Sequence, residues 1–323
     1  MASHANTDWH RRSVLGGLAA VPLAGPARAA LDHVSFKVPD GACDCHHHVY
    51  DPRWAYAPTA VIKPPPATWS DYRRCQARIG TSRSIAVTPS TYAFNNECTA
   101  DFLKQQVEVG GQADRTRAVG VAVVPADVDA ATLKTLHAAG FRGVRVQSGA
   151  GNPLGPDVMM PLARRIAPLG WHMQLNLTAP LYVEHQDVIL KLPVTVVVDH
   201  MAGIPGQDGV KSPAYAALRR LLDGGKTWVK LSGPDSGSQS GPPGYADRIA
   251  IASALVSAAP ERCVWGSNWP FPSSKPKTRP DPVLMLDIVK SWAPDEKLRH
   301  RILVENPESL YGFDPKHRPT AER

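Results

Sequence analysis

Eight short apolar segments, each followed by a longer segment of helical periodicity, are the feature of this 323-residue chain that most restricts its fold. Short β-branched strands that alternate with helices are typical of parallel strands joined by crossover helices. Eight such units close into a (β/α)8 TIM barrel, which needs roughly 250 residues. A doubly wound open sheet is the competing α/β fold, but no GxGxxG motif opens a helix to support it.

The predicted elements can be stated residue by residue. We expect strands at 42–50, 84–90, 118–125, 143–148, 172–177, 194–200, 228–233 and 263–268. We expect helices at 70–79, 97–109, 130–139, 158–169, 181–192, 213–223, 245–259 and 282–293, with a terminal helix pair over 295–310.

Residues 1–29 have the pattern of a Tat-like export signal. The twin arginines Arg11 and Arg12 precede a Gly/Ala-rich apolar segment that runs to Ala24, and Ala27 and Ala29 form a small-x-small cleavage site. The apolar run is too short to span a bilayer, and no later segment reaches the roughly 18–20 apolar residues required. We therefore expect residues 30–323 to form a single periplasmic domain without a membrane segment. An unstructured N-terminus is the alternative.

The charged residues and the cysteines exclude several classes of protein. Lys and Arg number 36 against 29 Asp and Glu, a net charge of +7, but the basic residues are scattered, so we expect no nucleic-acid partner. The net positive charge is also compatible with a small acidic substrate. Five cysteines without a CxxC motif form neither a disulfide framework nor a zinc ribbon.

Three adjacent histidines lie on the first predicted strand. Because strand side chains alternate, His46 and His48 should share one face, while His47, Cys43 and Cys45 should lie on the other. An imidazole pair can ligate a metal, shuttle a proton or bind an anion near neutral pH. A polar surface cluster or a tag is the alternative, which the strand-like flanking residues disfavour.

Polar residues at the carboxyl ends of the predicted strands are the candidate site, because barrel enzymes carry their active sites at that end. Arg145 could bind a substrate carboxylate in bidentate fashion, or it could form a salt bridge to a neighbouring loop. The sixth strand is apolar up to Asp199 and His200. The candidates are His46, His48, Thr88, Ser90, Arg145, Gln147, Gln174, Asn176, His200, Lys230, Ser232 and Asn268.

Several segments together resemble the amidohydrolase superfamily, and within it the branch of 2-pyrone-4,6-dicarboxylate lactonase and galactarolactone isomerase. They include the His-x-His of the first strand and a Trp-Gly-Ser-Asn-Trp-Pro segment, and they span nearly the whole mature chain. The resemblance implies an amidohydrolase-type barrel that acts on a carboxylated lactone. The matching segments are 44–49, 54–58, 140–145, 167–172, 198–201 and 264–270.

The resemblance also implies roles for individual residues. His46, His48 and His200 would polarise the lactone carbonyl without a metal or another cofactor, and Tyr56 and Arg145 would bind the substrate. We expect Ser90 and Asn176, at the ends of the second and fifth strands, to contact the substrate too. Lys230 could be a carbamylated metal ligand or a positive charge paired inside or above the barrel.

Asn268 departs from the lactonase pattern, which has a water-activating aspartate at the end of the eighth strand. An amide cannot take the proton of the attacking water. The isomerase branch has the same amide at this position, and in an isomerase the hydroxyl of the substrate attacks the lactone carbonyl in place of water. Zinc on the three histidines is another possible substitute for the base. Residues 147–151 lack the further arginines that would bind a second carboxylate in the lactonase. We therefore do not expect pyrone dicarboxylate to be a substrate.

We therefore predict a hydrolase that opens the ester of a carboxylated lactone. A lactone isomerase is the first alternative, favoured by Asn268. A non-catalytic small-molecule binding protein that retains the barrel pocket is the second.

Overall fold

The computed structural model describes residues 33–110, 117–149, 151–152, 154–274 and 278–321, so the predicted export signal lies outside the described residues. The strands are β1 (Cys43–His47), β2 (Arg83–Val87), β3 (Ala118–Ala122), β4 (Phe141–Gln147), β5 (His172–Asn176), β6 (Val196–Val198), β7 (Thr227–Leu231) and β8 (Cys263–Trp265). The helices are α1 (Trp69–Ile79), α2 (Glu97–Gly110), α3 (Ala130–Ala138), α4 (Met159–Ile166), α5 (Ala179–Leu190), α6 (Pro213–Asp223), α7 (Ala246–Ala258), α8 (Pro282–Asp287), α9 (Val289–Trp292), α10 (Glu296–His300) and α11 (Asn306–Tyr311).

All eight strands pair in parallel and in sequence order, from β1 to β8. The segment after β8 then returns to β1: the Asn268 amide donates to the His46 carbonyl and the His48 amide donates to the Trp269 carbonyl, both at 2.8 Å. The predicted (β/α)8 barrel is thereby confirmed. No helix in the described ranges has the length and apolar content needed to cross a bilayer.

Buried Asp44 fastens the first strand to the last. Its carboxylate accepts hydrogen bonds from the Ser267 amide at 2.8 Å, the Ser267 hydroxyl at 2.6 Å and the Tyr72 hydroxyl of α1 at 3.1 Å. Burial raises the pKa of Asp44, while these donors oppose the increase. The seam between β1 and β8 therefore depends on a side chain two residues before His46.

The pairing register of β1 with β2 shifts between Asp44 and His47, and this corrects the prediction for the cysteines. Cys43 and Cys45 pack with Ile85, Val87 and other residues of the barrel interior rather than on the face opposite the histidine pair. One irregularity in a strand moves the following side chains to the other face. The cysteines therefore lie below the histidines inside the barrel, and they are buried as predicted.

The C-terminal segment forms the floor of the barrel. Tyr311 and Phe313 join the interior cluster that contains Cys43 and Cys45. Buried Arg83, at the start of β2, donates to Glu308 at 2.7 Å and to the carbonyls of Asp314 and His317 at 3.0 and 2.7 Å. These bonds hold the floor against the amino ends of the strands.

Several elements differ from the prediction in their bounds. Strand β6 ends at Val198, and the 3₁₀ turn Asp199–Gly203 follows it. The predicted helix over 282–293 is divided into α8 and α9. The terminal pair is α10 and α11, which are continuous through the π-helical turn Arg301–Glu305, and Pro307 lies in the first turn of α11.

His47 faces the helices, as predicted, and stacks on Tyr72 with ring centroids 3.6 Å apart. Both of its ring nitrogens are buried without a hydrogen-bond partner among the described residues. An unpaired buried polar group costs about 1–3 kcal/mol, so His47→Phe should raise the free energy of unfolding by about 1 kcal/mol or more while it keeps the stack. Urea denaturation measures the change. Loss of stability in this variant would contradict the placement.

Candidate active site

Three imidazoles meet at the carboxyl end of the barrel. The ring centroid of His46 lies 4.9 Å from that of His48 and 4.6 Å from that of His200, and the Nε2 atoms of His46 and His48 are 3.3 Å apart. His48 is held by a 2.8 Å hydrogen bond between its Nδ1 and the Val87 carbonyl. Residues from β1 and from the turn after β6 are thus brought together as the sequence predicts.

Asp199 lies beneath the imidazoles and is surrounded by donors. Arg145 Nε and Gln174 Nε2 donate to its Oδ2 at 3.0 and 2.8 Å. The Lys230 ammonium lies 3.5 Å from its Oδ1, and His46 Nδ1 lies 3.3 Å from the same oxygen. The Arg145 and Lys230 side chains and the Asp199 carboxylate are all buried, and these contacts join them in one network inside the barrel.

The network fixes the protonation of the site. Burial lowers the pKa of His46 well below its ordinary value, that of His48 to about 3 and that of His200 to about 4. Burial alone would raise the pKa of Asp199, but the charges of Lys230 and Arg145 hold it well below its usual value. Neutral imidazoles therefore lie over an ionised carboxylate at neutral pH.

These shifts predict a loss of stability in acid. His48 and His172 each have a pKa of about 3 in the fold against about 6.5 when unfolded, because burial disfavours the imidazolium. The unfolded chain binds more protons below pH 6.5, so stability falls as the pH decreases through that value. Each histidine should contribute a loss of about 2 kcal/mol at pH 5. Denaturant unfolding between pH 7 and pH 5 measures the slope, and a flat profile would contradict it.

His200 lies in a strained turn rather than at a strand end. His200, Met201 and Ala202 have φ values of 52, 56 and 57°, a region that non-glycine residues rarely adopt in succession. Ser232 Oγ lies 2.8 Å from His200 Nδ1, and buried Arg248 donates to the His200 carbonyl at 3.1 Å. The surrounding structure thus holds an unfavourable backbone that directs the ring into the cluster.

Asn268, after β8, lies beside this turn. It has a φ of 61°, and a Cβ added to Gly233 would lie 3.8 Å from Asn268 Nδ2 and 3.1 Å from His200 Nδ1. A Cβ on Gly266 would lie 2.6 Å from the Cβ of His46. Glycine at these two positions lets β7 and β8 approach the histidines closely.

The predicted substrate-binding residues divide into two groups. Arg145 adjoins the cluster through Asp199, and no hydrogen bond to its terminal nitrogens occurs within the described ranges. The Tyr56 hydroxyl donates to the Pro64 carbonyl of its own loop at 2.6 Å. In the described part of the chain, Tyr56, half-buried Ser90 and half-buried Asn176 make no hydrogen bond or ion pair with the histidines.

Asp199 is the central residue that sequence reasoning missed as part of the site. It joins four side chains of the network, whereas the sequence drew attention only to His200 beside it. The available signal was its position as the first polar residue after an apolar strand.

Three of these side chains are potential ligands for a metal ion. Ligand atoms of His46, Asp199 and His200 lie within 4.8 Å of one another, close enough for one ion. Asp199 is already paired with Lys230 and Arg145, and Asn268 supplies no charge. A divalent cation would face two buried positive charges and only one carboxylate, so the charges do not fit it.

A family model described as amidohydrolase matches residues 43–313. The chain belongs to the amidohydrolase family. The resemblance noted from the sequence is therefore confirmed, and the matched region spans the barrel from β1 to its floor. Three curated relatives match over most of their lengths and define the branch.

The 2-pyrone-4,6-dicarboxylate hydrolase of Comamonas testosteroni is 33% identical over 85% of this chain and 92% of its own. The 4-sulfomuconolactone hydrolase of Rhizobium radiobacter is 32% identical over 90% and 96%. The D-galactarolactone isomerase of Agrobacterium fabrum is 29% identical over 86% and 93%. This amidohydrolase thus has lactone hydrolases and a lactone isomerase as its relatives.

Proposed function

We propose that this amidohydrolase hydrolyses the ester of a carboxylated lactone. The observation that carries the proposal is the convergence of three neutral imidazoles beside Arg145 at the carboxyl end of the barrel. The names of the relatives support a lactone as the substrate. The residues we assign to the reaction are His46, His48, His200 and Asn268, with Tyr56, Ser90, Arg145 and Asn176 assigned to substrate binding.

The geometry supports separate roles for these side chains in substrate binding, carbonyl polarisation and proton transfer. The terminal nitrogens of Arg145 bind the carboxylate of the substrate, while its Nε remains on Asp199. An imidazole N–H donates to the lactone carbonyl oxygen and stabilises the charge that develops there. A second imidazole, neutral because it is buried, takes the proton of the attacking water and returns it to the ring oxygen as the acyl C–O bond breaks. The Asn268 amide can orient the water but cannot take its proton.

Lactone isomerisation is the second candidate, and Asn268 favours it. When the substrate brings its own hydroxyl, the nucleophile is held within the molecule and a weak base suffices. Both reactions use the same polarised carbonyl. They differ in whether the product is a hydroxy acid or a new lactone.

A panel of carboxylated lactones tests the proposal, with ¹H NMR identification of products before and after dialysis against a chelator. A ring-opened hydroxy acid supports hydrolysis, and a rearranged lactone supports isomerisation. A lactone that binds and returns unchanged would identify a binding protein. Loss of turnover on chelation would show that a metal takes part in the reaction.

Arg145→Met should raise KM for carboxylated lactones by roughly 5–150-fold, because a charge-assisted contact of about 1–3 kcal/mol is lost. Steady-state kinetics on matched esters and acids measures the difference. Neutral lactones serve as the control, since they lack the group that Arg145 binds. Equal increases in KM for both substrate classes would refute the role.

We further propose that residues 1–29 export this amidohydrolase to the periplasm by a Tat-type route. The twin arginines and the small-x-small cleavage site support it. Replacement of Arg11 and Arg12 by Lys should leave the protein in the cytoplasmic fraction. Unchanged periplasmic recovery would contradict the proposal.

A further inference from the structure

Lys230 on β7 is fully buried beneath the histidines. Its Nζ lies 2.6 Å from Gln174 Oε1, 3.3 Å from His46 Nδ1 and 3.5 Å from Asp199 Oδ1. A lysine ammonium has three N–H donors and no acceptor. Toward His46 it can therefore only donate, and Nδ1 must present its lone pair.

This contact fixes the positions of the protons on two imidazoles. Since His46 Nδ1 accepts, the proton of the neutral ring lies on Nε2, which is 3.3 Å from His48 Nε2. The Val87 carbonyl can only accept, so His48 Nδ1 donates to it, and His48 Nε2 carries a lone pair. Donors and acceptors then alternate from Lys230 through His46 and His48 to Val87.

Asp199 does not displace Lys230 as the partner of His46. Its Oδ1 is 3.3 Å from His46 Nδ1, yet that oxygen has no hydrogen-bond partner in the described part of the chain. The Gln174 side-chain oxygen accepts a hydrogen bond from Lys230, and its amide nitrogen donates to Asp199. Gln174 thus fixes the position of the Lys230 ammonium relative to Asp199.

We propose that Lys230 is a positioning residue that holds His46 as the Nε2–H tautomer and thereby prevents a metal from binding between His46 and His48. In the proposed reaction, on which this part rests, His46 Nε2–H donates to the lactone carbonyl oxygen. The lone pair of His48 Nε2 accepts a hydrogen bond that orients the nucleophile, and His200 takes its proton. Lys230 touches neither the substrate nor the reacting atoms.

Loss of Lys230 should convert the same residues into a metal site. A small rotation would let His46 Nδ1–H donate to Asp199 Oδ1, and both Nε2 lone pairs would then face each other. Zn–N bonds of about 2.0–2.1 Å in tetrahedral geometry place two nitrogens at about the separation found here. The substitution also removes one of the two positive charges that oppose a cation.

The test compares the wild-type protein with Lys230→Met, which keeps the length of the side chain without its N–H groups. ¹⁵N NMR of histidine-labelled protein assigns the tautomer of His46, and titration with zinc chloride measures affinity. We expect Nε2–H in the wild type, Nδ1–H in the variant, and zinc binding at least tenfold tighter in the variant. Lys191→Met, at the exposed end of α5, is the matched control and should bind zinc as the wild type does.

An Nδ1–H tautomer in the wild type would overturn the proposal, and this result requires no variant to fold. Equal zinc affinity in the wild type and in folded Lys230→Met would overturn it as well. Neither readout uses a substrate, so failure of the lactone assay leaves both outcomes interpretable. Where a lactone is turned over, Lys230→Met should lower kcat at least tenfold with little change in KM.

Discussion

His200→Asn should lower kcat by about 10²–10⁴-fold, the range that a positioned acid–base group contributes. The ring of His200 lies 4.6 Å from that of His46 at the centre of the cluster, and asparagine cannot supply a basic nitrogen. Asparagine is chosen because it tolerates the positive φ of 52° better than other residues do, so the turn is retained. Steady-state kinetics on the best lactone measures the loss.

His317→Asn is the matched control, since His317 is exposed and its side chain bonds to Asp314 alone among the residues that the structure describes. Thermal unfolding of both variants shows whether the barrel is intact. A folded His200→Asn protein with the wild-type rate would remove His200 from the reaction.

Asn268→Asp should increase the ratio of hydrolysis to isomerisation by about 10–100-fold. The new carboxylate would lie close to the His200 turn and could take the proton of a water molecule, which the amide cannot. Asparagine and aspartate both accept the φ of 61° at this position, so the backbone should not change. NMR quantification of hydroxy acid against rearranged lactone gives the ratio.

Asn176→Asp adds the same charge at the end of β5 and should leave the product ratio as in the wild type. The new carboxylate should repel the carboxylate of the substrate and raise KM in both variants. Asn176→Asp therefore shows how much of any change is due to this repulsion alone. An unchanged ratio in Asn268→Asp would mean that the base is supplied elsewhere.

The fold could be predicted because its evidence is local. Each strand and helix has its own periodicity, and eight repeated units leave few alternatives to a barrel. The pairing of His46 with His48 followed from strand alternation and is observed at 3.3 Å. The same rule failed for Cys45, because the register shift in β1 depends on pairing with β2, and a single segment does not encode it.

The sequence indicated Arg145, Gln174 and Lys230 as candidates and a paired charge for Lys230, but their convergence on Asp199 could not be predicted, for a related reason. Asp199, Lys230, Arg145 and Gln174 come from four different elements, and each alone has an ordinary alternative role. Their contacts exist only once the barrel closes. The strained backbone at His200 is likewise held by hydrogen bonds to Ser232 and Arg248, which are distant in sequence, so no local sequence pattern predicts it.

The floor of the barrel has a consequence for biosynthesis. Tyr311 and Phe313, and the carbonyls that bind Arg83, emerge from the ribosome after all eight strands. A nascent chain that ends before Tyr311 would leave the apolar underside of the strands exposed to water. We therefore expect the barrel to reach its native state only after residues 311–317 have left the ribosome.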